Sequence, residues 1–288
     1  VTIQEGCDKF CSFCVVPFTR GSENSRNVED VEKEIIYLSQ QGCKEVILLG
    51  QNVNAYHGLN KQMEEQGLTD LIEKIEKIEG IERISYTTSH PKDMDERLIQ
   101  LHGDSSKLMP YLHLPVQSGS NKILSMMNRK YTSESYIRII ERLRKSRSDI
   151  ALSSDFIVGF PGETRKDFKE TIKLVKEIEF SQSYSFKYSA RPATKAARSE
   201  NTLSSEEVND RLYELQAILK KQHKYFNQGF LGKKVEVLCK GKGKKEGQIR
   251  GTTKWMQVVN FKQEKNKRIN TNVRIIKATD NSLLGEPA

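Results

Sequence analysis

The sequence has no long hydrophobic run, a single tryptophan and only five cysteines among its 288 residues. No apolar segment approaches the roughly 20 residues that a membrane-spanning helix requires, so we predict no membrane association. A chain of this length can bury a sizeable core, and its cysteine count is odd, so a disulfide framework is not expected. These absences favour a globular protein whose cysteines serve another purpose.

Three of the cysteines are concentrated within eight residues. Cys7, Cys11 and Cys14 are separated by three and then two residues. Three thiolates leave one iron of a four-iron cluster without a protein ligand, whereas an electron-transfer cluster takes four. Structural zinc also takes four ligands, and no second Cys-x2-Cys pair is present. The triad therefore predicts a [4Fe-4S] cluster with one open iron, and we interpret the isolated Cys43 and Cys239 as small buried hydrophobic residues.

The positive charge of the chain is confined to its C-terminal part. Residues 1–229 carry 33 basic and 33 acidic side chains, while residues 230–288 carry 14 basic and 5 acidic ones, so this end accounts for the whole net charge of +9. Such an excess attracts polyanions, although a solvated face of an ordinary small domain is the alternative. Because the first residue is valine within a strand-like run, we also expect the chain to begin inside a longer protein.

Short β-rich segments alternate with amphipathic helical ones over the first two thirds of the chain. The predicted strands are Val1–Gln4, Glu45–Leu49, Arg83–Thr87, Tyr111–Leu114, Ile150–Ile157 and Ser183–Tyr188. The predicted helices are Val28–Gln41, Leu68–Ile78, Met94–Leu101, Ser133–Lys145 and Arg165–Ile178. This alternation indicates an α/β fold with a parallel sheet and right-handed crossovers. Six units are too few for a closed eight-stranded barrel, so we predict an open partial (β/α)6 barrel, with a doubly wound sheet as the alternative.

In either fold the functional side lies beyond the C-terminal ends of the strands, a region we call the mouth. Polar residues and glycines follow each predicted strand. An open iron at the mouth suits S-adenosylmethionine, chelated through its amino and carboxylate groups. The candidate cofactor-binding residues are Phe13, Gln51, Asn52, Thr88, Gln117 and Asp155. Each polar one has an ordinary alternative as a helix cap, a loop contact or a buried carboxylate, and we interpret His90 and His113 as structural polar residues.

A different pattern follows the long predicted helix Ser204–Gln228. Three β-like runs, Lys234–Cys239, Trp255–Phe261 and Val273–Lys277, are separated by turns rich in glycine and lysine. The pattern is typical of a small C-terminal antiparallel β-barrel of the kind that binds oligonucleotides. We therefore predict two domains, residues 1–226 and residues 227–288.

Four segments of the sequence resemble the tRNA branch of the radical S-adenosylmethionine methylthiotransferases: Gln4–Arg26, Leu48–Tyr56, Leu112–Ser120 and Asp155–Thr164. The resemblance covers essentially the whole chain. It implies that Cys7, Cys11 and Cys14 hold the radical-generating cluster. It also implies a cytoplasmic transferase that adds a methylthio group to carbon 2 of isopentenyladenosine beside the tRNA anticodon. Two S-adenosylmethionine molecules would act in different roles, and a flavodoxin or ferredoxin would donate the electron.

The resemblance also assigns the C-terminal residues. Residues 227–288 are similar to a TRAM domain, which would bind the anticodon stem-loop through phosphates. The candidate contacts are Lys233, Lys234, Lys240, Lys242, Lys244, Lys245, Arg250 and Lys254, with Trp255 either a stacking surface or barrel core. The family's N-terminal domain, with a second [4Fe-4S] cluster, is absent from this sequence.

Two positions depart from the family pattern, and two other functions remain open. Ala193 and Lys195 stand where the family has glycine and proline, so the local turn is in doubt. The alternatives are a methylthiotransferase acting on a ribosomal protein, and an RNA-binding fragment that is inactive without the N-terminal domain.

Overall fold

The computed structural model describes residues 1–200, 203–262 and 270–288. Its strands are β1 (Gln4–Glu5), β2 (Asn24–Ser25), β3 (Glu45–Leu48), β4 (His57–Leu59), β5 (Glu65–Gly67), β6 (Arg83–Tyr86), β7 (Tyr111–His113), β8 (Ala151–Val158), β9 (Gln182–Lys187), β10 (Lys234–Lys242), β11 (Gln248–Thr252), β12 (Val258–Lys262), β13 (Asn270–Ala278) and β14 (Leu283–Pro287). The helices are α1 (Val16–Arg20), α2 (Val28–Gln40), α3 (Leu68–Glu76), α4 (Glu96–Asp104), α5 (Asn121–Met126), α6 (Ser133–Ser146), α7 (Arg165–Ile178) and α8 (Ser205–Gln228).

Six parallel segments lie side by side in chain order. The N-terminal segment runs beside β3 through the pairing of Thr2 with Leu49, and β3 pairs with β6. The segment before β7 bridges to β6 at Leu108, and β7, β8 and β9 form a continuous parallel sheet. Among the described residues, no ladder joins β9 to the first segment. The open parallel arrangement predicted from the sequence is therefore confirmed.

The helices cover the outer face of these strands because each has one apolar stripe. Helices α6, α7 and α8 begin with capping boxes at Thr132, Thr164 and Ser204, where the side chain accepts from a backbone N–H in the first turn. One hydrophobic core joins the apolar faces of the helices to the strands, with Phe156, Phe168 and Phe180 fully buried among aliphatic side chains. The mouth is thus built on a rigid base.

The described residues 230–262 and 270–288 form a closed five-stranded barrel with a second core, the C-terminal barrel. The strand order is β10-β11-β12-β14-β13, and β10 closes the ring by pairing with β13. Val237, Val259 and Phe261 are buried at its centre. The sequence predicted only three of these strands and an antiparallel barrel. Strands β11 and β14 were missed, and the β12–β14 pair is parallel, so the barrel is mostly but not wholly antiparallel.

The C-terminal barrel contacts the N-terminal ends of the parallel strands. Arg83, at the start of β6, is buried and donates to the Thr252 carbonyl at 2.9 Å and to Glu236 Oε1 at 2.8 Å. Lys240 pairs with Glu45 at the start of β3, at 2.7 Å. Because the mouth is at the other end of these strands, the C-terminal barrel lies opposite it.

Other differences from the sequence-based expectations are local. The first predicted strand is interrupted, because Gln4 and Glu5 leave the parallel sheet and pair antiparallel with β2. Helix α4 begins at Glu96 rather than Met94, since Asp95 caps it by accepting from Leu98 N. Helix α5 was not predicted, and it lies beside the cysteine segment. None of the described helices combines the length and apolar character needed to cross a membrane.

Candidate active site

The cysteine loop follows β1 directly and owes its path to Gly6. This residue has φ +73°, and an added Cβ would lie 2.1 Å from the Ser22 carbonyl oxygen, so only glycine fits. Cys7, Cys11 and Cys14 are all partly buried and carry free thiols. Burial raises the pKa of Cys7 and Cys14, and the neighbouring thiols add to the effect. These two sulfurs therefore need a positive partner to become thiolates.

Each of the three sulfurs faces one hydrogen-bond donor. The backbone N–H groups of Lys9 and Val16 donate to Cys7 and Cys14 respectively. Arg129 Nη1 lies 3.4 Å from Cys11 Sγ. Donors directed at cysteine sulfur stabilise its anionic, metal-bound form. The residues present therefore fit an iron–sulfur cluster.

The described residues contain no group of three or more His, Cys, Asp or Glu side chains that could hold a metal ion. A four-iron cluster binds each thiolate at a different iron, so its cysteines need not converge on one point. Neither of the remaining cysteines supplies a fourth thiolate. Cys43 Sγ contacts the Glu45 carbonyl at the opposite end of the strands, and Cys239 lies in the C-terminal barrel. Both are partly buried and pack against the cores.

Arg129 is the main residue that the sequence analysis missed. Its side chain is buried, and it donates to the Pro115 carbonyl at 2.6 Å and to Tyr131 Oη at 2.7 Å, besides Cys11. Its neighbours Asn128 and Lys130 both have positive φ, which turns the chain sharply after α5. One arginine among several basic residues gives no sequence signal, because its burial depends on this turn.

The cysteine loop is clamped from two sides. Ser12 N donates to the Met127 carbonyl at 3.0 Å, and Ser12 Oγ donates to Met126 O at 2.7 Å. On the other side, Ala196 N donates to the Ser12 carbonyl at 2.8 Å. The end of α5 and the turn at residues 193–198 thus fix the loop that carries the thiols.

Phe13 packs into a small apolar cluster beneath the cysteine loop rather than standing free at the mouth. The cluster contains Ile123, Met127, Phe160 and Ala196. Phe160 belongs to the glycine-rich segment after β8, so this segment and the cysteine loop share one packing unit. Phe13 therefore excludes water from beneath the loop.

Gln51 and Asn52 hold the cysteine loop in place. Gln51 Oε1 accepts from Gly6 N at 2.7 Å, and the backbone N–H of each residue donates to the buried Gln4 Oε1. Asn52 Nδ2 donates to Asp93 Oδ2 at 2.9 Å, and Asp93 also pairs with Lys9 at 2.7 Å. These contacts are structural, while Asn52 Oδ1 is buried without a hydrogen-bond partner.

Thr88 and Gln117 have a different character. Their φ angles are +64° and +76°, a left-handed conformation that is uncommon for residues with a Cβ and an outlier for β-branched threonine. Such strain is often found at functional sites. No hydrogen bond to either side chain is found within the part of the chain that the structure describes, so both are free to bind a ligand.

Asp155 lies on the inner side of β8 within a polar group. His113 Nε2 is 3.4 Å from Asp155 Oδ2, and His113 Nδ1 is 3.0 Å from Ser153 Oγ. Tyr184 pairs with Asp155 in the register of β8 and β9, and its ring meets His113 edge to face. Tyr184 is also half exposed. The interior of the partial barrel therefore offers a carboxylate, an imidazole and an aromatic surface to a ligand.

His90 is a structural residue in this arrangement, as its sequence context suggested. Asn54 exchanges two hydrogen bonds with the His90 backbone, at 2.9 Å and 2.8 Å. Burial lowers the pKa of His90 to about 2, and the charges of Arg129 and Lys9 contribute. The imidazole is therefore neutral at physiological pH.

The turn at residues 193–198 keeps a backbone that favours glycine. Ala193 has φ +66°, although its Cβ disfavours this conformation. The turn borders a cavity of about 520 Å³ that Cys11, Cys14, Lys195 and Arg198 also line. Two cations thus line the same cavity as two of the thiols.

The eight predicted RNA contacts differ in their surroundings, because two of them lie beside carboxylates. Lys240 pairs with Glu45 at 2.7 Å, and Lys254 lies 4.0 Å from Glu236. The other six, Lys233, Lys234, Lys242, Lys244, Lys245 and Arg250, are exposed. Trp255 is partly buried and packs against Phe230 in the second core.

Comparisons with known proteins agree with this geometry. The sequence is 54% identical over 99% of its length to the tRNA-2-methylthio-N(6)-dimethylallyladenosine synthase of Wolbachia pipientis, covering 65% of that protein. It is 53% identical to the enzyme of the same name from Orientia tsutsugamushi, covering 64% of it. The chain thus spans slightly less than two thirds of these relatives.

Solved structures share the fold at low sequence identity. The radical S-adenosylmethionine methyltransferase TsrM from Kitasatospora setae has a TM-score of 0.56 at 18% identity, over 68% of this chain and 35% of that one. SuiB from Streptococcus suis has a TM-score of 0.52 at 13% identity, over 75% of this chain and 46% of that one. The family model of the radical SAM superfamily matches residues 1–175, and the chain therefore belongs to the radical SAM superfamily.

Proposed function

We propose that this chain is the catalytic and RNA-binding part of a tRNA methylthiotransferase. Its reaction adds a methylthio group to carbon 2 of isopentenyladenosine beside the anticodon. The observation that carries the proposal is the cysteine triad, in which three partly buried thiols each face one donor at the mouth of a parallel barrel. The 54% identity to a named synthase over 99% of the chain supports the substrate.

In this proposal Cys7, Cys11 and Cys14 would hold a [4Fe-4S] cluster, which would supply the electron that cleaves the sulfonium of S-adenosylmethionine. The chain's residues stabilise anionic sulfur through Arg129 and two backbone N–H groups. Phe13 excludes water from beneath the loop. This division of labour is usual, since the cofactor carries the chemistry and the protein orients it.

The candidate cofactor contacts divide into two groups. Thr88 and Gln117 have strained backbones and uncommitted side chains, and Asp155 faces the barrel interior, so these three bind the cofactor or substrate. Gln51 and Asn52 act through the cysteine loop that they hold. In this proposal they are positioning residues.

The domains and partners follow from the same proposal. Residues 1–226 form the radical SAM core, and residues 227–288 form a TRAM-like domain that binds the anticodon stem-loop. The five-stranded barrel and its exposed basic residues support this role. The chain spans less than two thirds of its relatives, and in this proposal an N-terminal domain with a second [4Fe-4S] cluster completes the enzyme. The enzyme would act in the cytoplasm, where tRNA is modified, and would receive electrons from a flavodoxin or ferredoxin.

A complementation experiment tests this function. The full-length gene is expressed in a bacterial strain that lacks its tRNA methylthiotransferase, and adenosines from hydrolysed tRNA are analysed by mass spectrometry. We expect the methylthio derivative to reappear with the wild-type gene and with Cys43→Ala. Cys11→Ala should abolish it, because the triad then has two thiols.

Two results would reject the proposal. Methylthiolation of a ribosomal protein without change in the tRNA would assign a different substrate. Binding of tRNA by the reconstituted wild-type protein, without cleavage of S-adenosylmethionine, would reduce the chain to an RNA-binding module.

A further inference from the structure

A large cleft lies where the parallel barrel meets the C-terminal barrel, far from the mouth. It has a volume of about 1260 Å³ and is lined by the end of α7, the second half of α8 and the start of β10. Its apolar surface comes mainly from Phe180, Ile218, Tyr225, Phe226, Phe230 and Trp255. We call this space the Trp255 cleft.

The aromatic rings of the Trp255 cleft form one connected wall. Phe226 meets Phe230 edge to face with 5.4 Å between ring centroids, and Phe230 meets Trp255 in the same way at 5.4 Å. Trp255 Nε1 donates to the Asp149 carbonyl at 2.9 Å, which fixes the indole. Tyr225 is 73% exposed beside this wall. Rigid and partly exposed aromatic side chains of this kind provide stacking surfaces.

The rim of the Trp255 cleft is basic. Lys176, Lys221, Lys233 and Lys234 line it, against the two acidic side chains Asp149 and Glu179. Asp149 already pairs with Arg147 at 3.2 Å. Within residues 1–200, 203–262 and 270–288, none of the four lysines forms an ion pair. Their charge therefore remains available for an anionic ligand.

We infer that the Trp255 cleft binds an unpaired nucleotide of the RNA substrate. This inference rests on the proposed function, because it names a second contact for the same RNA. Aromatic rings take the base and lysines take the adjoining phosphates, as in sequence-tolerant binding of single-stranded nucleic acid. The volume exceeds that of a typical pocket for a small ligand, about 300–1,000 Å³, and leaves room for the flanking backbone.

The position of the cleft shows that this nucleotide differs from the modified adenosine. Helix α8 connects the two places, since Val208 and Arg211 touch the segment after β8 and Tyr225 borders the cleft. At 1.5 Å per residue, the distance along the helix from Val208 to Tyr225 is about 25 Å. An RNA that reaches both places must present two nucleotides separated by about this distance, so the cleft takes a second nucleotide and not the modified one.

Trp255 makes the inference directly measurable, because it is the only tryptophan in the sequence. The 288-residue chain is titrated with a single-stranded oligouridylate and with a blunt RNA duplex of the same length, while indole fluorescence is recorded. We expect the single strand to quench the fluorescence and the duplex to leave it nearly unchanged. Tyr225→Ala should weaken single-strand binding by about fivefold or more. Tyr213→Ala, which alters an equally exposed tyrosine on the same helix, should leave binding unchanged.

A charge variant tests the rim separately. Lys233→Gln combined with Lys234→Gln should reduce the slope of log affinity against log salt concentration by about 0.7 for each phosphate contact that is lost. Lys169→Gln combined with Lys173→Gln, two lysines on α7 outside the cleft, is the control.

The possible outcomes distinguish a failure of this inference from a failure of the proposed function. If tRNA is bound and methylthiolated but no oligonucleotide quenches Trp255, the cleft is not a nucleotide site and the proposed function stands. If quenching depends on protein concentration and not on RNA, the cleft is covered by a second copy of the chain. If the oligonucleotide binds but tRNA is never modified, the proposed function fails while the nucleotide site remains.

Discussion

Arg129 is buried and places a permanent positive charge beside the partly buried Cys11. Its side chain is buried and makes three hydrogen bonds in all, to Pro115 O, Tyr131 Oη and the Cys11 sulfur. A buried cation near a redox centre favours the state with more negative charge, which is the reduced one. The same three contacts also tie Cys11 to the strand ends. Arg129 therefore both adds positive charge beside the Cys11 sulfur and holds the cysteine loop against the strand ends.

We expect Arg129→Gln to lower the midpoint potential of the reconstituted cluster. A unit charge several ångströms away contributes about 2–3 kcal/mol at an effective dielectric constant near 20, which corresponds to on the order of 100 mV. The potential is measured by a redox titration followed with electron paramagnetic resonance. Arg129→Lys keeps the charge and should shift the potential less, and the adjacent Lys130→Gln should not shift it. If all variants had the same iron content and the same midpoint potential, the charge of Arg129 would have no influence on the cluster.

His102 is a buried imidazole that couples stability to pH. It is fully buried on α4, and its Nε2 lies 2.7 Å from Tyr86 Oη. Burial lowers the pKa of His102 to about 3, and the charge of Arg147 adds to this effect. Because the unfolded chain binds a proton near pH 6.5 and the folded chain does not, the stabilisation is present above that pH. It is lost as the pH falls from 6.5 towards 3.

The free energy of unfolding should therefore fall between pH 7 and pH 5.5. One such histidine contributes a loss of about 1 kcal/mol over this range, and His90 and His223, whose pKa values are also lowered by burial, add to it. Anaerobic urea denaturation at both pH values measures the change. His102→Gln should remove about 1 kcal/mol of the loss, while the same change at exposed His57 serves as the control. A pH dependence that His102→Gln leaves intact would refute the assignment.

Helix α8 is the element that fixes the segment after β8. Gly159 has φ +71°, and an added Cβ would lie 2.7 Å from Val208 on α8. Two turns into the helix, Arg211 Nη1 lies 2.5 Å from Glu163 Oε1, and both side chains are buried. Burial raises the pKa of Glu163 while the guanidinium opposes that rise. Breaking such a pair leaves an uncompensated buried charge.

We expect Arg211→Met to destabilise the chain by about 3–5 kcal/mol. Adding Glu163→Gln to it should recover part of that loss, because the isolated carboxylate is then gone. Arg165→Met removes a cation from an exposed pair with Glu214 at 2.7 Å and should cost at most about 1 kcal/mol. Denaturant unfolding of the single and double variants measures the coupling. Additive effects of the two buried changes would contradict the interpretation.

The helices and strands show which parts of the fold can be predicted from sequence patterns. Helix α7 was predicted with its observed bounds, because Thr164 caps its start and its apolar positions repeat at helical spacing. Helix α5 was missed, since six residues are too short for a periodic pattern. Strand β14 was missed because its five residues show no alternation of apolar and polar side chains, although it pairs antiparallel with β13 across a short turn and parallel with β12. The spacing of the three cysteines predicted a cluster site from the sequence alone, whereas Arg129 could be found only from the fold.

On the scale of the whole molecule, the two ends of the parallel barrel are occupied by different parts of the chain. The cysteine loop occupies the C-terminal ends of the strands, and the C-terminal barrel occupies their N-terminal ends. The junction depends on pairs that are distant in sequence, such as Lys240 with Glu45 and Arg83 with Glu236. The sequence identified Lys240 only as a basic residue. Its ion pair with Glu45 shows that part of the C-terminal charge serves the junction.

Arg83 should be the residue that makes the two parts unfold together. Its side chain is almost fully buried and donates to the Thr252 carbonyl and to Glu236 across the junction. Removing the guanidinium leaves buried acceptors without a donor, which is costly. In the wild-type chain, Trp255 fluorescence, which reports on the C-terminal barrel, and far-ultraviolet circular dichroism, which is dominated by the helices, should change at one urea concentration.

In Arg83→Met we expect the fluorescence transition to move to lower urea than the circular dichroism transition, because the barrel loses its buried connection to β6. Lys242→Gln changes an exposed lysine of β10 that forms no ion pair among the described residues, and it should keep the two transitions coincident. Coincident transitions in Arg83→Met would mean that apolar contacts of α8 with the C-terminal barrel, rather than the buried arginine, couple the two parts. In that case Phe226 and Phe230, which extend from the end of α8 into the second core, would be the residues that transmit cooperativity.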